Sequence, residues 1–115
     1  MAFSPSEPPA LPSGSGELLD QVLEPLLADF GASFERGLEL VDLCPDLVMA
    51  PALRQQFEAR LRQATAELAA ARALRAAAPA PMALDMQAIT PWHQLVLEVW
   101  SLSAALRAAG VLPRG

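Results

Sequence analysis

The sequence contains no lysine, asparagine or tyrosine, and it has a single cysteine and a single histidine. All eight basic residues are therefore arginines. Because Cys44 has no second cysteine to pair with, no intramolecular disulfide can form, and we expect a reducing compartment. A metal site needs several converging ligands, which one cysteine and one histidine do not supply. The sequence thus predicts neither a metal site nor a cofactor.

Other signals are missing as well. The first residues lack a charged segment followed by an apolar run, so we expect no signal peptide. No uninterrupted apolar run reaches about 18 residues, so we expect no transmembrane helix. There is no glycine-rich phosphate loop and no Ser/His/Asp combination. Cys44 with His93 is the remaining nucleophile–base pair, but Cys44 is better interpreted as a small buried hydrophobe. We therefore do not expect an enzyme.

The net charge of −5 is unevenly distributed. Residues 1–50 carry nine acidic residues and one arginine, whereas residues 51–78 carry five arginines and two glutamates. An acidic segment followed by a basic one predicts two helices that attract each other. A nucleic-acid-binding domain is normally basic overall, so we expect no nucleic acid as a partner.

The apolar residues recur at helical spacing, and no alternating strand pattern is visible. We predict an all-α fold, a small three-helix bundle in which an antiparallel helical hairpin packs against a third, tryptophan-bearing helix. Residues 1–16 hold four prolines, four serines and two glycines, which predicts a disordered tail that contributes nothing to the fold. The helical domain should span residues 17–110, and residues 111–115 should form a short frayed tail.

Helix boundaries follow from proline and glycine. The first helix should run from about Glu17 to Leu43 and end at Cys44–Pro45, with a kink before Pro25 or a true start close to it. Within it, Gly31 and Gly37 can permit the close approach of a partner helix. The second helix should run from about Pro51 to Ala78, and residues 79–89 should form a linker.

The third helix should run from Pro91 to about Ala109 and stop at Gly110, with Thr90 as its cap and Pro91 at its first position. A rotation of 100° per residue places Trp92 on the broad apolar face and Trp100 at the shoulder of that face. His93 and Leu97 lie just beyond. We interpret Trp92 as a core residue. His93, Leu97 and Trp100 either form a patch that binds a partner, or Trp100 completes the core and His93 is a solvated surface residue.

Two stretches resemble an uncharacterised family of small cyanobacterial helical proteins. They are LLDQVLEPLLADFGASFERGLEL at 18–40 and PWHQLVLEVW at 91–100, similar to the family's VLEPLL-DF---FER and PWH-LV---W blocks. The resemblance implies a cyanobacterial, cytoplasmic protein, with a link to photosynthesis or carbon fixation, but no assigned activity. Its positions in this chain are Pro25, Asp29, Phe30, Phe34, Glu35, Arg36, Pro91, Trp92, His93 and Trp100.

These observations favour a non-catalytic protein–protein interaction module, an adaptor or assembly factor in a cyanobacterial complex. The candidate interaction residues are His93, Leu97, Trp100, Glu35 and Arg36. The alternative is a peripheral membrane protein that uses the helix bearing Trp92 and Trp100, although that helix lacks the basic face that anionic membranes require. The sequence does not identify the protein partner, and a homodimer stays open.

Overall fold

The computed structural model describes residues 12–77 and 86–113, and the side chains within these ranges except those of residues 12–20, 86 and 88. Three helices fill the described chain: α1 is Pro12–Leu43, α2 is Pro51–Ala77 and α3 is Met86–Ala108. The all-α three-helix fold predicted from the sequence is confirmed. Helix α1 ends at Leu43, directly before Cys44–Pro45 as expected, because a proline disfavours helical backbone in the residue that precedes it.

Side-chain contacts define the direction and register of the helices. Glu24 of α1 pairs with Arg72 and Arg75, near the end of α2, so α1 and α2 are antiparallel. Phe30 of α1 meets Trp92, close to the start of α3, in an edge-to-face contact with 5.7 Å between the ring centroids. Gly37 of α1 lies against Val99 of α3, about two turns further along both helices, so these two helices are parallel.

Helix α1 is the common partner of the other two. It packs along both α2 and α3, whereas α2 and α3 approach each other far less closely. The core is apolar throughout the described side chains, which is expected because burying an unpaired polar group costs free energy. Its largest fully buried side chains are Phe34, Leu27, Leu40, Leu61 and Leu106.

At Gly37, side chains of both α2 and α3 lie close to the backbone of α1. A Cβ atom built there would lie 2.8 Å from Cγ2 of Val99 and 3.0 Å from Cδ1 of Leu61. At Gly31 a Cβ atom would lie 3.4 Å from Cδ2 of Leu68, which is ordinary contact. Close approach is therefore the reason for glycine at position 37, and it is a much weaker reason at position 31.

The start of α1 differs from the prediction. The helix begins at Pro12 and not at Glu17, so residues 12–16 belong to it and not to the predicted tail; residues 1–11 lie outside the described residues. Proline is well suited to a first helical turn, where its missing N–H would have no intrahelical acceptor. The helix also continues through Pro25, so the alternative of a start close to that residue is wrong.

The start of α3 differs in the same sense. The helix begins at Met86, which places Thr90 and Pro91 inside it; the prediction that Thr90 caps the helix and Pro91 opens it is wrong. Pro91 cannot donate a backbone hydrogen bond to the preceding turn, but one missing bond near a helix start is tolerated when the helix is packed. The predicted linker, 79–89, therefore contains the first turn of α3, and its residues 79–85 lie outside the described residues.

The end of α3 is a left-handed cap. Gly110 has φ of 79°, a conformation that glycine adopts without the steric cost borne by other residues. The amides of Val111 and Leu112 donate to the carbonyl of Leu106 at 2.9 and 3.3 Å, and Leu112 packs against the core. The predicted frayed tail, 111–115, is thus tied back to α3 at its first two residues, and its last two lie outside the described residues.

Candidate functional site: the outer face of helix α3 and the end of the bundle

The two tryptophans of α3 have opposite environments. Trp92 is 4% exposed and contacts Phe30, and its Nε1 donates a hydrogen bond to Glu67 Oε1 of α2 at 3.3 Å. Trp100 is 64% exposed. The predicted assignment of Trp92 to the core is confirmed, and the alternative in which Trp100 completes the core is wrong.

Trp100 belongs to a row of exposed residues on α3. Its members are spaced alternately by four and three positions: His93, Leu97, Trp100, Ala104 and Arg107. This spacing aligns side chains along one face of a helix and is the spacing of the contact positions in paired helices. Leu97, at 44% exposed, and Trp100 supply the apolar centre of the row. We call these five residues the α3 outer row.

The α3 outer row points away from α2. Glu98, two residues before Trp100, pairs with Arg60 of α2, and residues two apart on a helix point to nearly opposite sides. The row therefore occupies the flank of α3 that is remote from the α2–α3 seam. It leaves an apolar surface that no described element covers.

The α2–α3 seam is open and is crossed by polar side chains. The Arg60 guanidinium donates to the Glu98 carboxylate through its two terminal nitrogens, Nη1 and Nη2, with Nη1 to Oε1 at 2.9 Å. This hydrogen bonding raises the pKa of Arg60. Both side chains are about half exposed. A groove of about 370 Å³ lies on one side of the pair, between the first turns of α2 and the last turns of α3. We call it the seam groove; its apolar walls include Met49, Leu53, Phe57, Leu102 and Ala105.

The loop between α1 and α2 is held by Arg54. Its Nη1 donates to Asp46 Oδ1 at 2.8 Å and to the backbone carbonyls of Cys44 at 3.1 Å and Met49 at 3.4 Å. The hydrogen bond to Asp46 raises the pKa of Arg54. Leu47, inside this loop, is 100% exposed. The sequence analysis did not single out Leu47, because most residues of this loop, 44–50, are apolar and nothing in the sequence distinguishes the exposed one.

The five predicted interaction residues do not form one surface. His93, Leu97 and Trp100 share the α3 outer row, whereas Glu35 lines a separate groove of about 340 Å³ between α1 and α2. Arg36 is exposed and pairs with Glu39, one helical turn away, at 3.3 Å. Among the described residues, no hydrogen bond or ion pair joins Glu35 or Arg36 to the row. Three of the five predicted residues therefore share one surface on α3, and the other two lie elsewhere, on α1.

The geometry separates Cys44 from His93. Cys44 is buried at the end of α1, where the parallel register places it level with Leu106 of α3. His93 is exposed thirteen residues earlier on α3, roughly 20 Å away along the helix at a rise of 1.5 Å per residue. The two side chains are too far apart to act as a nucleophile and base. In the part of the chain that the structure describes, no group of three or more His, Cys, Asp and Glu residues could hold a metal ion.

None of the three helices, over their described residues, has the length and apolarity needed to cross a membrane.

The protein is thus a small three-helix bundle with an apolar core and, on its third helix, the exposed α3 outer row. The chain belongs to the family described as "Protein of unknown function (DUF2605)", whose model matches residues 13–108. That match covers all three helices and confirms the expected membership of an uncharacterised family. Comparison with curated proteins finds no match, and neither does comparison with solved structures.

Proposed function

We propose that this protein is a non-catalytic interaction module whose α3 outer row binds an amphipathic helix of a partner protein. The observation that carries the proposal is the 64% exposure of Trp100, eight residues after a fully packed tryptophan on the same helix. An exposed tryptophan flanked by an exposed leucine forms an apolar patch, and such patches mark interaction sites more often than isolated apolar residues do.

The spacing of the row indicates the kind of partner. Alternating steps of four and three residues present one straight seam, into which the side chains of a second helix can interdigitate. Trp100 lies at the centre of the row, where interface residues contribute most of the binding energy, and tryptophan is enriched among such residues. Arg107 at one end of the row favours a partner helix with an acidic residue at the matching margin.

The biological setting of the proposal rests on the resemblance to a cyanobacterial family. We propose a cytoplasmic adaptor or assembly factor in a cyanobacterial complex, linked to photosynthesis or carbon fixation.

The test is a quantitative affinity purification from the native organism, in which the wild-type chain and Trp100→Ala are compared by mass spectrometry. Leu74→Ala is the matched control, because Leu74 is 60% exposed but lies on α2 near the opposite end of the bundle. We expect a set of co-purifying proteins that Trp100→Ala loses and Leu74→Ala retains. A partner set that is the same for all three chains contradicts the proposal.

Binding to a lipid surface is the second candidate, since exposed tryptophan also suits the membrane–water interface. The row contains one arginine, whereas interfacial helices are rich in basic residues on their polar face. Flotation with vesicles of anionic and of neutral lipids tests this candidate directly. Co-flotation that depends on Trp100 would replace the protein partner by a membrane.

A further inference from the structure

A second apolar surface lies at the end of the bundle where the α1–α2 loop and the chain after α3 meet. Four large apolar side chains are exposed there: Leu43 at 52%, Leu47 at 100%, Leu53 at 58% and Val111 at 38%. Their positions converge because α1 ends, α2 begins and α3 ends at this same level of the bundle. This end face is separate from the α3 outer row, whose centre lies further up α3.

Leu47 is presented by a rigid turn. The amides of Val48 and Met49 both donate to the Pro45 carbonyl, at 3.0 and 3.2 Å. Arg54 fastens the same turn through Asp46 and two backbone carbonyls. A backbone turn held in place before binding loses little conformational entropy when it binds, which favours its residues as anchors. Leu47 is therefore a preorganised apolar projection.

The seam groove opens directly beside this projection. Val48 and Met49, which follow Leu47 in the chain, form its near wall, and the Arg60–Glu98 pair closes its far end. Its volume of about 370 Å³ is in the range of pockets that hold small apolar groups. A leucine side chain inserted here would meet Leu53, Phe57 and Leu102.

We infer that the occupant of the seam groove is Leu47 of a second copy of this chain, in a two-fold dimer that joins the two end faces. A projection and a complementary groove side by side on one face form a self-complementary surface, in which each copy gives one contact and receives one. The groove of a chain cannot take its own Leu47, because that residue belongs to the rigid turn and is fully exposed.

Charge permits this arrangement, and area limits its strength. The chain as a whole has a net charge of −5, but the end face carries two acidic residues, Asp42 and Asp46, and one basic residue, Arg54, which pairs with Asp46, so it holds only −1 of that charge. Two copies can therefore meet here with little charge repulsion. The two shorter dimensions of the molecule, 31 and 20 Å, limit this end to roughly 600 Å², somewhat below the ~800 Å² that each partner buries in a standard interface. We expect a dimer with a dissociation constant in the micromolar range.

The first test measures the monomer–dimer equilibrium of the full chain by sedimentation velocity over a concentration series. Leu47→Asp should raise the dissociation constant at least about tenfold, because it removes an anchor from both halves of the interface. Leu47 is fully exposed, so the variant should keep the helical circular dichroism and melting temperature of the wild type. Leu74→Asp, at an exposed leucine near the opposite end, is the matched control and should leave the equilibrium unchanged.

The second test fills the groove from inside. Ala105 lines the seam groove and is exposed, so Ala105→Phe can occupy the space without disturbing the core. Alone it should weaken the dimer as Leu47→Asp does. A mixture of the two variants should associate more tightly than either alone, because Leu47 of one chain meets an open groove in the other.

Three outcomes overturn the inference: a wild-type chain that is monomeric up to about 1 mM, a dimer that tolerates Leu47→Asp, and a mixture of variants that associates no better than its components. Trp100→Ala should leave the dimer intact, so failure here and failure of the proposed function are separate results. A dimer lost in Trp100→Ala and kept in Leu47→Asp would assign self-association to the α3 outer row and overturn the inference.

Discussion

The interfaces of α1 and the seam between α2 and α3 are built differently. Helix α1 packs along both neighbours through phenylalanine, leucine and glycine, and no polar side chain among the described residues is buried between them. Helices α2 and α3 instead meet through the Arg60–Glu98 pair and the hydrogen bond from Trp92 to Glu67, with grooves on either side. One helix thus organises the core, and the other two leave space between them.

This difference separates stability from binding. Burying apolar area is the main favourable contribution to folding, so most of the free energy of unfolding should reside in the two interfaces of α1. Half-exposed ion pairs contribute little, which leaves the seam free to open or to accept another side chain at low cost. The surfaces that we propose for partners, the α3 outer row and the end face, both lie outside the α1 interfaces.

The largest expected effect is at Trp92. Trp92→Ala should lower the free energy of unfolding by about 3–5 kcal/mol, because it empties a buried aromatic site against Phe30. Trp100→Ala should change the free energy of unfolding by less than about 1 kcal/mol, because its side chain is mostly solvated. Urea unfolding followed by circular dichroism measures both. Equal losses in the two variants would contradict the division of α3 into an inner and an outer face.

The next largest effect is a difference between Gly31 and Gly37, two of the glycines of α1. Gly37→Ala should lower the free energy of unfolding by about 1–2 kcal/mol, because the new methyl group overpacks Val99 and Leu61 in a core that cannot yield freely. In Gly31→Ala the new methyl group makes only ordinary contact with Leu68. This substitution should raise the free energy of unfolding by up to about 1 kcal/mol, because alanine has a better helix propensity than glycine. Thermal unfolding of the two variants, compared with the wild type, measures both changes. Stabilisation by both substitutions would show that the three helices do not meet closely at Gly37.

Much of this architecture could be predicted from the sequence. Apolar spacing identified three helices, Cys44–Pro45 marked the end of α1, and a rotation of 100° per residue separated Trp92 from Trp100. The starts of α1 and α3 were placed about five residues too late. Pro91 was taken as the first helical position, although the helix extends through it once packing compensates for the missing hydrogen bond.

The candidate sites were less accessible, because they depend on contacts between distant residues. Arg60 and Glu98 are 38 residues apart, and no local pattern indicates that they pair. Among the described side chains, the expected attraction between the acidic and basic helices is seen where Arg72 and Arg75 both bind Glu24. Leu47 has no helical periodicity, so its exposure and the groove beside it become apparent only when the loop is placed on the bundle.

The smallest expected effect is at the seam itself. A double-mutant cycle with Arg60→Ala and Glu98→Ala should give a coupling energy below about 1 kcal/mol, because both side chains are about half exposed and the attraction is screened by water and salt. The cycle also cancels the contact of Arg60 with the Phe57 ring, which lies 6.0 Å from the guanidinium carbon. The exposed Glu58–Arg62 pair within α2 is the matched control, with an expected coupling of a few tenths of a kcal/mol. A coupling above about 2 kcal/mol that persists at high salt would mean that the seam is a structural interface like those of α1, and the contrast between them would fail.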